Sequence, residues 1–146
     1  MKAQIVIFLI LCTACSPKLS SIDQGIKGQL LWLEGDLMPG PNKPENPPKP
    51  VQREIQIYEL TNLNSVTKNN EGFFSDIPTD PVAVVQSDEE GKFSIKLPEG
   101  NYSVFVKEEA GLFANKFDGQ GNINPVEIKS GEIAEKTIRI DYQAAY

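Results

Sequence analysis

The chain has 146 residues and a formal net charge of −6 at pH 7. This length is enough for one domain with a two-layer core, and the acidic charge argues against nucleic acid or an anionic lipid surface as a partner. Histidine is absent, which removes the commonest general base, the commonest metal ligand and any Ser-His or Cys-His nucleophile. We therefore expect a non-enzymatic protein without a cofactor or metal.

The first 14 residues have the pattern of a secretory signal peptide. Lys2 gives a basic start, Ile5–Leu11 is an uninterrupted apolar run, and the small pair Thr13-Ala14 comes directly before Cys15. The apolar run is too short to span a bilayer. We therefore predict that residues 1–14 are a signal peptide.

The segment around the second cysteine, Leu11-Cys12-Thr13-Ala14-Cys15-Ser16, resembles a bacterial lipobox. That resemblance implies a diacylglyceryl group on the Cys15 thiol, cleavage just before Cys15, and an acyl chain such as palmitate on the new amino group, which together hold the protein on a membrane. Cys12 stands where lipoboxes usually carry leucine, so the alternatives are ordinary secretory cleavage nearby or use of Cys12 itself. Ser16 in place of aspartate is similar to outer-membrane sorting patterns, and the periplasmic and cell-surface faces both stay open.

Residues 15–24 mix Ser, Pro, Lys and Asp with little apolar content and are predicted to be a flexible tether, so we assign the domain to residues 25–146. The first strand is predicted at Ile26–Leu33. The four apolar residues at its end predict either burial on both faces or a bulge near Gly28. Trp32 within them is predicted to be a core residue.

A proline-rich stretch follows from Met38 to Val51 and contains six of the 11 prolines of the chain. This density excludes a regular strand or helix and predicts an exposed, extended loop. Recognition of the stretch by an aromatic groove of another protein is the alternative.

Alternation of apolar and polar residues predicts a strand at Arg53–Leu60, and the short apolar run Val82–Gln86 predicts a further one. The connection between them, residues 62–81, is long and polar and carries Phe73-Phe74 in its middle. A loop of this length is usually either functional or packed by its own side chains, and both alternatives stay open.

The clearest β pattern lies in Ser87–Val106. Apolar and polar residues alternate in Phe93–Leu97 and in Tyr102–Val106, and a turn that ends in Gly91 or Gly100 precedes each run. This predicts a β-hairpin whose alternate side chains face the core. Two last strands, predicted at Val126–Lys129 and Ala134–Tyr142, bring the total to about seven without an amphipathic helix, which is typical of a β-sandwich.

The motif Ser-Asp-Glu-Glu-Gly-Lys-Phe at Ser87–Phe93, followed by Leu97-Pro98-Glu99-Gly100-Asn101-Tyr102-Ser103-Val104, resembles the carboxypeptidase regulatory-like domain. The resemblance covers most of the mature chain in order, with the two long loops as insertions. It implies an all-β, seven-stranded Greek-key β-sandwich of the transthyretin (prealbumin) type without a catalytic residue. It also implies that Tyr102 forms a tyrosine corner, with its hydroxyl bonded to backbone near the preceding turn. The whole chain is similar to small lipoproteins of Bacteroidetes-type bacteria.

One candidate ligand or partner patch comes from the aromatic residues of the irregular segments, rimmed by two polar side chains. Self-packing of those loops is the alternative. The residues are Phe73, Phe74, Phe113, Phe117, Asp118 and Asn122.

Two acidic features of the sequence resemble chemical sites. Oxygen side chains alternate in Asp118–Asn124 as in a calcium loop, but Lys129 stands where the bidentate glutamate belongs, which favours a glycine-rich turn. The groups Asp88–Glu90 and Glu108-Glu109 are predicted to be solvated charge and not a catalytic pair.

These predictions describe a lipid-anchored, non-enzymatic β-sandwich of the bacterial outer membrane that acts as an interaction or structural accessory module. Its expected partners are the membrane, through the lipid, and an envelope protein or glycan. The alternative is a small carbohydrate- or peptide-binding module that uses the aromatic loops, and an enzyme ranks third.

Overall fold

The structure is a computed structural model that describes residues 21–146. The predicted signal peptide, Cys15 and most of the tether lie outside the described residues. The described chain is all-β, with one 3₁₀ turn at Leu63–Ser65 and no α-helix within residues 21–146. In chain order the strands are β1 Gly25–Asp36, β2 Lys49–Pro50, β3 Glu54–Glu59, β4 Thr67–Lys68, β5 Phe74–Ser75, β6 Ala83–Gln86, β7 Lys92–Lys96, β8 Gly100–Glu108, β9 Gly111–Phe113, β10 Pro125–Ile128 and β11 Ile133–Ala145.

The strands form two sheets that pack face to face as a β-sandwich. In the first sheet β1 is central: it pairs in parallel with β11 on one side, and antiparallel with β7 and then β2 on the other. The second sheet has the order β4-β5-β9-β8-β3-β6, and β10 pairs with the first half of β8. All pairs of the second sheet are antiparallel.

The main core lies between the sheets and takes alternate side chains from both, as the period of two in the sequence predicts. Ile26 and Leu30 of β1 face Ile55 and Ile57 of β3, and none of the four is exposed to solvent. The same cluster also buries Phe93, Leu97, Tyr102, Val104, Val106, Ile128, Ile138 and Ile140.

All seven predicted strands are present, as β1, β3, β6, β7, β8, β10 and β11. The four strands that were not predicted have only two or three residues each, too few for a visible alternation. The proline-rich loop is exposed as predicted, although Lys49–Pro50 at its end pairs with β1. Of the two alternatives for the apolar end of β1, the bulge near Gly28 is wrong, because the irregularity lies between Trp32 and Glu34. Leu30 and Leu33 are buried and Leu31 and Trp32 are half-buried, as burial on both faces describes.

The predicted hairpin within Ser87–Val106 is also wrong. β7 pairs with β1 in the first sheet, whereas β8 pairs with β3, β9 and β10 in the second, so the turn at Pro98–Gly100 carries the chain from one sheet to the other. Alternation shows which face of a strand is buried, and that face is buried whether two strands pair side by side or lie opposite each other across the core.

The predicted contact of Tyr102 with the preceding turn is confirmed. Its hydroxyl donates a hydrogen bond of 3.0 Å to the carbonyl oxygen of Pro98. Gly100 between them has a φ of +153°, and a Cβ at this position would lie 3.3 Å from the Tyr102 hydroxyl. A residue with a side chain at position 100 would therefore crowd the Tyr102 hydroxyl and strain the backbone where the chain crosses between the sheets.

Candidate functional site

The structure buries most of the predicted phenylalanine patch. Phe73, Phe74 and Phe113 are 4%, 1% and 5% exposed, whereas Phe117 is 42% exposed. Phe73 and Phe113 belong to the core between the sheets, and Phe74 packs on the outer face of the second sheet against Phe105. The neighbours Phe73 and Phe74 reach opposite faces because successive side chains alternate across a strand. Three of the four rings therefore hold the long loops in place, as the self-packing alternative describes.

The two polar residues predicted at the rim of that patch bond to each other. Asp118 accepts hydrogen bonds of 2.9 Å from the backbone amides of Gln120 and Asn122, and its second oxygen accepts one of 2.8 Å from the Asn122 side chain. These bonds, the one from the Asn122 side chain above all, lower the pKa of the Asp118 carboxyl. The Asp118 carboxylate thus stabilises the glycine-rich turn to which it belongs. Within residues 21–146 there is no group of three or more acidic or cysteine side chains that could hold a metal ion.

A different site lies at one end of the sandwich, where β1, β8 and β11 finish and β3 begins. We call this the end groove, and its volume is about 1110 Å³. Its walls come from both sheets and from the loop before β5. The residues that define it are Trp32, Arg53, Phe73, Lys107, Glu108 and Tyr142.

A buried carboxylate connects the two sheets in the end groove. The Glu108 side chain is 7% exposed and accepts a hydrogen bond of 3.1 Å from Nε of Arg53 and one of 2.9 Å from the hydroxyl of Tyr142. The second Arg53 nitrogen, Nη1, donates to the carbonyl oxygen of Gln52 at 2.9 Å. Because both carboxylate oxygens have a donor, the charge of Glu108 is compensated although water is largely excluded.

Aromatic rings form the other wall of the end groove. Trp32 and Tyr142 meet edge to face with ring centroids 5.3 Å apart, and Tyr142 lies 4.9 Å from the ring of Phe73. The guanidinium of Arg53 lies 5.8 Å from the Trp32 ring centroid, in cation–π range. Trp32 thus packs against the core, as predicted, but it also lines a surface groove.

The same network shifts the ionisation of one groove residue. Burial, together with the hydrogen bond to the Glu108 carboxylate, raises the pKa of Tyr142 to about 12. Tyr142 therefore keeps its proton and remains a donor to Glu108 throughout the physiological pH range.

The sequence interpretation of Glu108 as solvated charge is wrong, and the end groove was not predicted. The pairing of Ile55 with Val106 places Arg53 opposite Glu108 on the neighbouring strand, and this register cannot be read from either strand alone. By contrast, Asp88 lies at an exposed turn as predicted, where its carboxylate accepts the amides of Glu90 and Lys92 at 2.9 and 2.8 Å.

Comparisons with protein-family models, with curated proteins and with solved structures gave no match to this chain. Within residues 21–146 the structure has no helix of the length and apolar character that a membrane crossing requires.

Proposed function

We propose that this chain is a non-enzymatic interaction module of a bacterial envelope, anchored by lipid on Cys15, which binds its partner in the end groove. The observation that carries the proposal is the position of the groove. The chain enters the sandwich at Gly25, and Trp32 lies seven residues further along the same strand, about 23 Å away at roughly 3.3 Å per residue. The groove is therefore at the end of the domain away from the tether, where a partner can approach without meeting the membrane.

The proposal includes the fold family that the sequence resembles, a Greek-key sandwich of the carboxypeptidase regulatory-like, transthyretin-like type. The glycine of the LPEGNY segment and the hydrogen bond from Tyr102 to Pro98 support it. Regulatory domains of this type accompany enzymes and are not catalytic themselves, which agrees with the role proposed here.

The chemistry of the end groove favours binding over catalysis. Its most buried acid, Glu108, is neutralised by Arg53 and Tyr142, and Lys107 pairs with Glu54 at 3.5 Å. Both oxygens of this carboxylate are already engaged by donors of the protein, so neither is free to take a proton from a bound substrate. The end groove is consequently built to hold a ligand in place.

Two measurements test this proposal. In cells fed labelled palmitate, the protein should incorporate label and sediment with the membranes, and Cys15→Ser should abolish both. Label that persists in this variant would refute the anchor.

The full-length protein, extracted in a polyoxyethylene detergent, should co-sediment with delipidated envelope fragments. Trp32→Ala should reduce that co-sedimentation, whereas Val84→Ala, at an exposed position outside the groove, should not. Equal co-sedimentation of all three proteins would refute the groove as the binding site.

A further inference from the structure

The end groove has two chemically different walls. One wall is aromatic, with the half-buried rings of Trp32 and Tyr142 above the buried Phe73, and polar side chains of Lys107 and Glu54 line the other, with the Arg53 guanidinium between them over one part of Trp32. A pyranose ring has the matching character, because its C–H faces are apolar and its edge carries hydroxyl groups that both donate and accept hydrogen bonds. Resting on the proposed function, we propose that the end groove binds an uncharged oligosaccharide, with the aromatic wall against the sugar faces and the polar wall at the hydroxyls.

The charges of the groove select against anionic ligands. Two basic residues, Arg53 and Lys107, line it together with four acidic ones, Glu54, Glu71, Glu108 and Glu109. Both basic side chains are already paired, with Glu108 and Glu54, and within residues 21–146 neither Glu71 nor Glu109 forms an ion pair. A carboxylated or sulfated ligand would therefore meet uncompensated negative charge.

The unpaired carboxylates of Glu71 and Glu109 attract cationic groups, but the position that a cation would take on the Trp32 ring is already filled. The site that a cation would take on an aromatic ring is occupied, since the Arg53 guanidinium lies over Trp32 and is held there by its bond to Glu108. A cationic ligand would have to displace this group and leave the Glu108 carboxylate with one donor fewer in a largely dry position. An uncharged polyol requires neither change.

The size and rigidity of the groove fit an oligosaccharide. Its volume of about 1110 Å³ lies just above the roughly 300–1,000 Å³ that small-molecule sites occupy, which is more than one sugar ring fills. The bonds of Glu108 to Arg53 and Tyr142 fix these side chains before a ligand arrives, so little side-chain entropy is lost on binding.

Calorimetric titration of the full-length protein in polyoxyethylene detergent, whose headgroup is not a sugar, tests the proposal. The probes are hexasaccharides of α- and β-linked glucose, mannose, galactose and xylose, with oligogalacturonate and chitosan oligomers as the anionic and cationic comparisons. We expect at least one neutral hexasaccharide to bind at least tenfold more tightly than either charged series. Trp32→Ala should weaken that binding at least tenfold, and Lys107→Ala, at an exposed position that preserves the fold, should weaken it several-fold. Glu127→Ala, exposed on β10 and outside the groove, should leave it unchanged.

The proposal is overturned if no neutral hexasaccharide binds, if a charged series binds as tightly, or if Lys107→Ala and folded Trp32→Ala both bind like the unaltered protein. Treatment of the envelope fragments separates this failure from failure of the proposed function. Groove-dependent co-sedimentation that survives periodate oxidation of glycans but is lost after protease treatment would overturn the sugar ligand and leave the interaction module standing. Absence of any groove-dependent co-sedimentation, together with absent sugar binding, would overturn both.

Discussion

Replacing Phe74 by alanine should destabilise the protein much more than the same change at Phe117, although the two rings are neighbours. Their centroids are 6.3 Å apart, and the ammonium of Lys68 lies over both, at 5.5 Å from Phe74 and 5.7 Å from Phe117. Both substitutions therefore remove the same aromatic contact and a comparable cation–π contact. They differ in burial, because Phe74 is 1% exposed and Phe117 is 42% exposed, and only Phe74 also packs against Phe105, with ring centroids 5.9 Å apart.

The difference in burial sets the magnitudes. Truncation of a fully buried phenylalanine costs about 3–5 kcal/mol, since it combines lost transfer free energy with a cavity. For a ring that already exposes almost half its surface and leaves no enclosed cavity, about 1 kcal/mol is expected. With a urea m-value of roughly 2 kcal/mol/M, the unfolding midpoint should fall by about 2 M for Phe74→Ala and by about 0.5 M for Phe117→Ala.

Urea unfolding followed by tryptophan fluorescence measures both variants, because Trp32 is the one tryptophan of the chain. Equal and small shifts of the two midpoints would refute the packing of Phe74 beneath the loop. That outcome would return Phe74 to the surface and restore the phenylalanine loops as a candidate binding patch.

Three other predictions concern the sheet crossing and two shifted ionisations. Tyr102→Phe, which loses the 3.0 Å bond to Pro98, should cost about 0.5–1.5 kcal/mol, and Gly100→Val should also lower the melting temperature; unchanged melting of both variants would remove the tyrosine corner. Burial lowers the pKa of Lys136 in the folded protein to about 8. Between pH 8 and about 10 the unfolded chain therefore binds one proton more than the folded chain, so the free energy of unfolding should rise with pH. Urea titrations across this range should show a flatter dependence for Lys136→Met. The pKa of Tyr142 in the folded protein is raised to about 12. Between pH 10 and 12 the folded chain therefore binds one proton more than the unfolded chain, so the free energy of unfolding should fall with pH. A Tyr142→Phe variant whose stability falls equally over this range would contradict this assignment.

The strands could be predicted from the sequence because alternation is a local property. Each of the seven longer strands carries its own pattern of buried and exposed side chains, and Ile55 and Ile57 face the core as their spacing predicts. Strand partners are not local. The parallel pairing of β1 with β11 joins the two ends of the domain, and no turn between these strands indicates it.

The end groove escaped prediction for the same reason. Arg53 directly precedes β3, whereas Glu108 and Tyr142 lie on β8 and β11, and none of the three alone has a sequence signal of a site. Only the register between β3 and β8, together with the packing of β11 across the core, brings them into hydrogen-bond contact. The aromatic loop residues were visible in the sequence, but their burial depends on which sheet face each ring reaches.

The Arg53–Glu108 pair is difficult to explain as a device for stability. Taking a carboxylate out of water costs several kcal/mol, and buried ion pairs are often no more stabilising than apolar residues of the same volume. Glu108 is nevertheless 93% shielded, in a position where β8 ends beside the aromatic rings of the core. A leucine there could pack against Tyr142 without any desolvation cost, but it would leave Arg53 free to move and the Tyr142 hydroxyl without an acceptor. What the ion pair provides is a fixed orientation of the guanidinium and the phenol at the mouth of the end groove, which agrees with the binding role proposed for the groove.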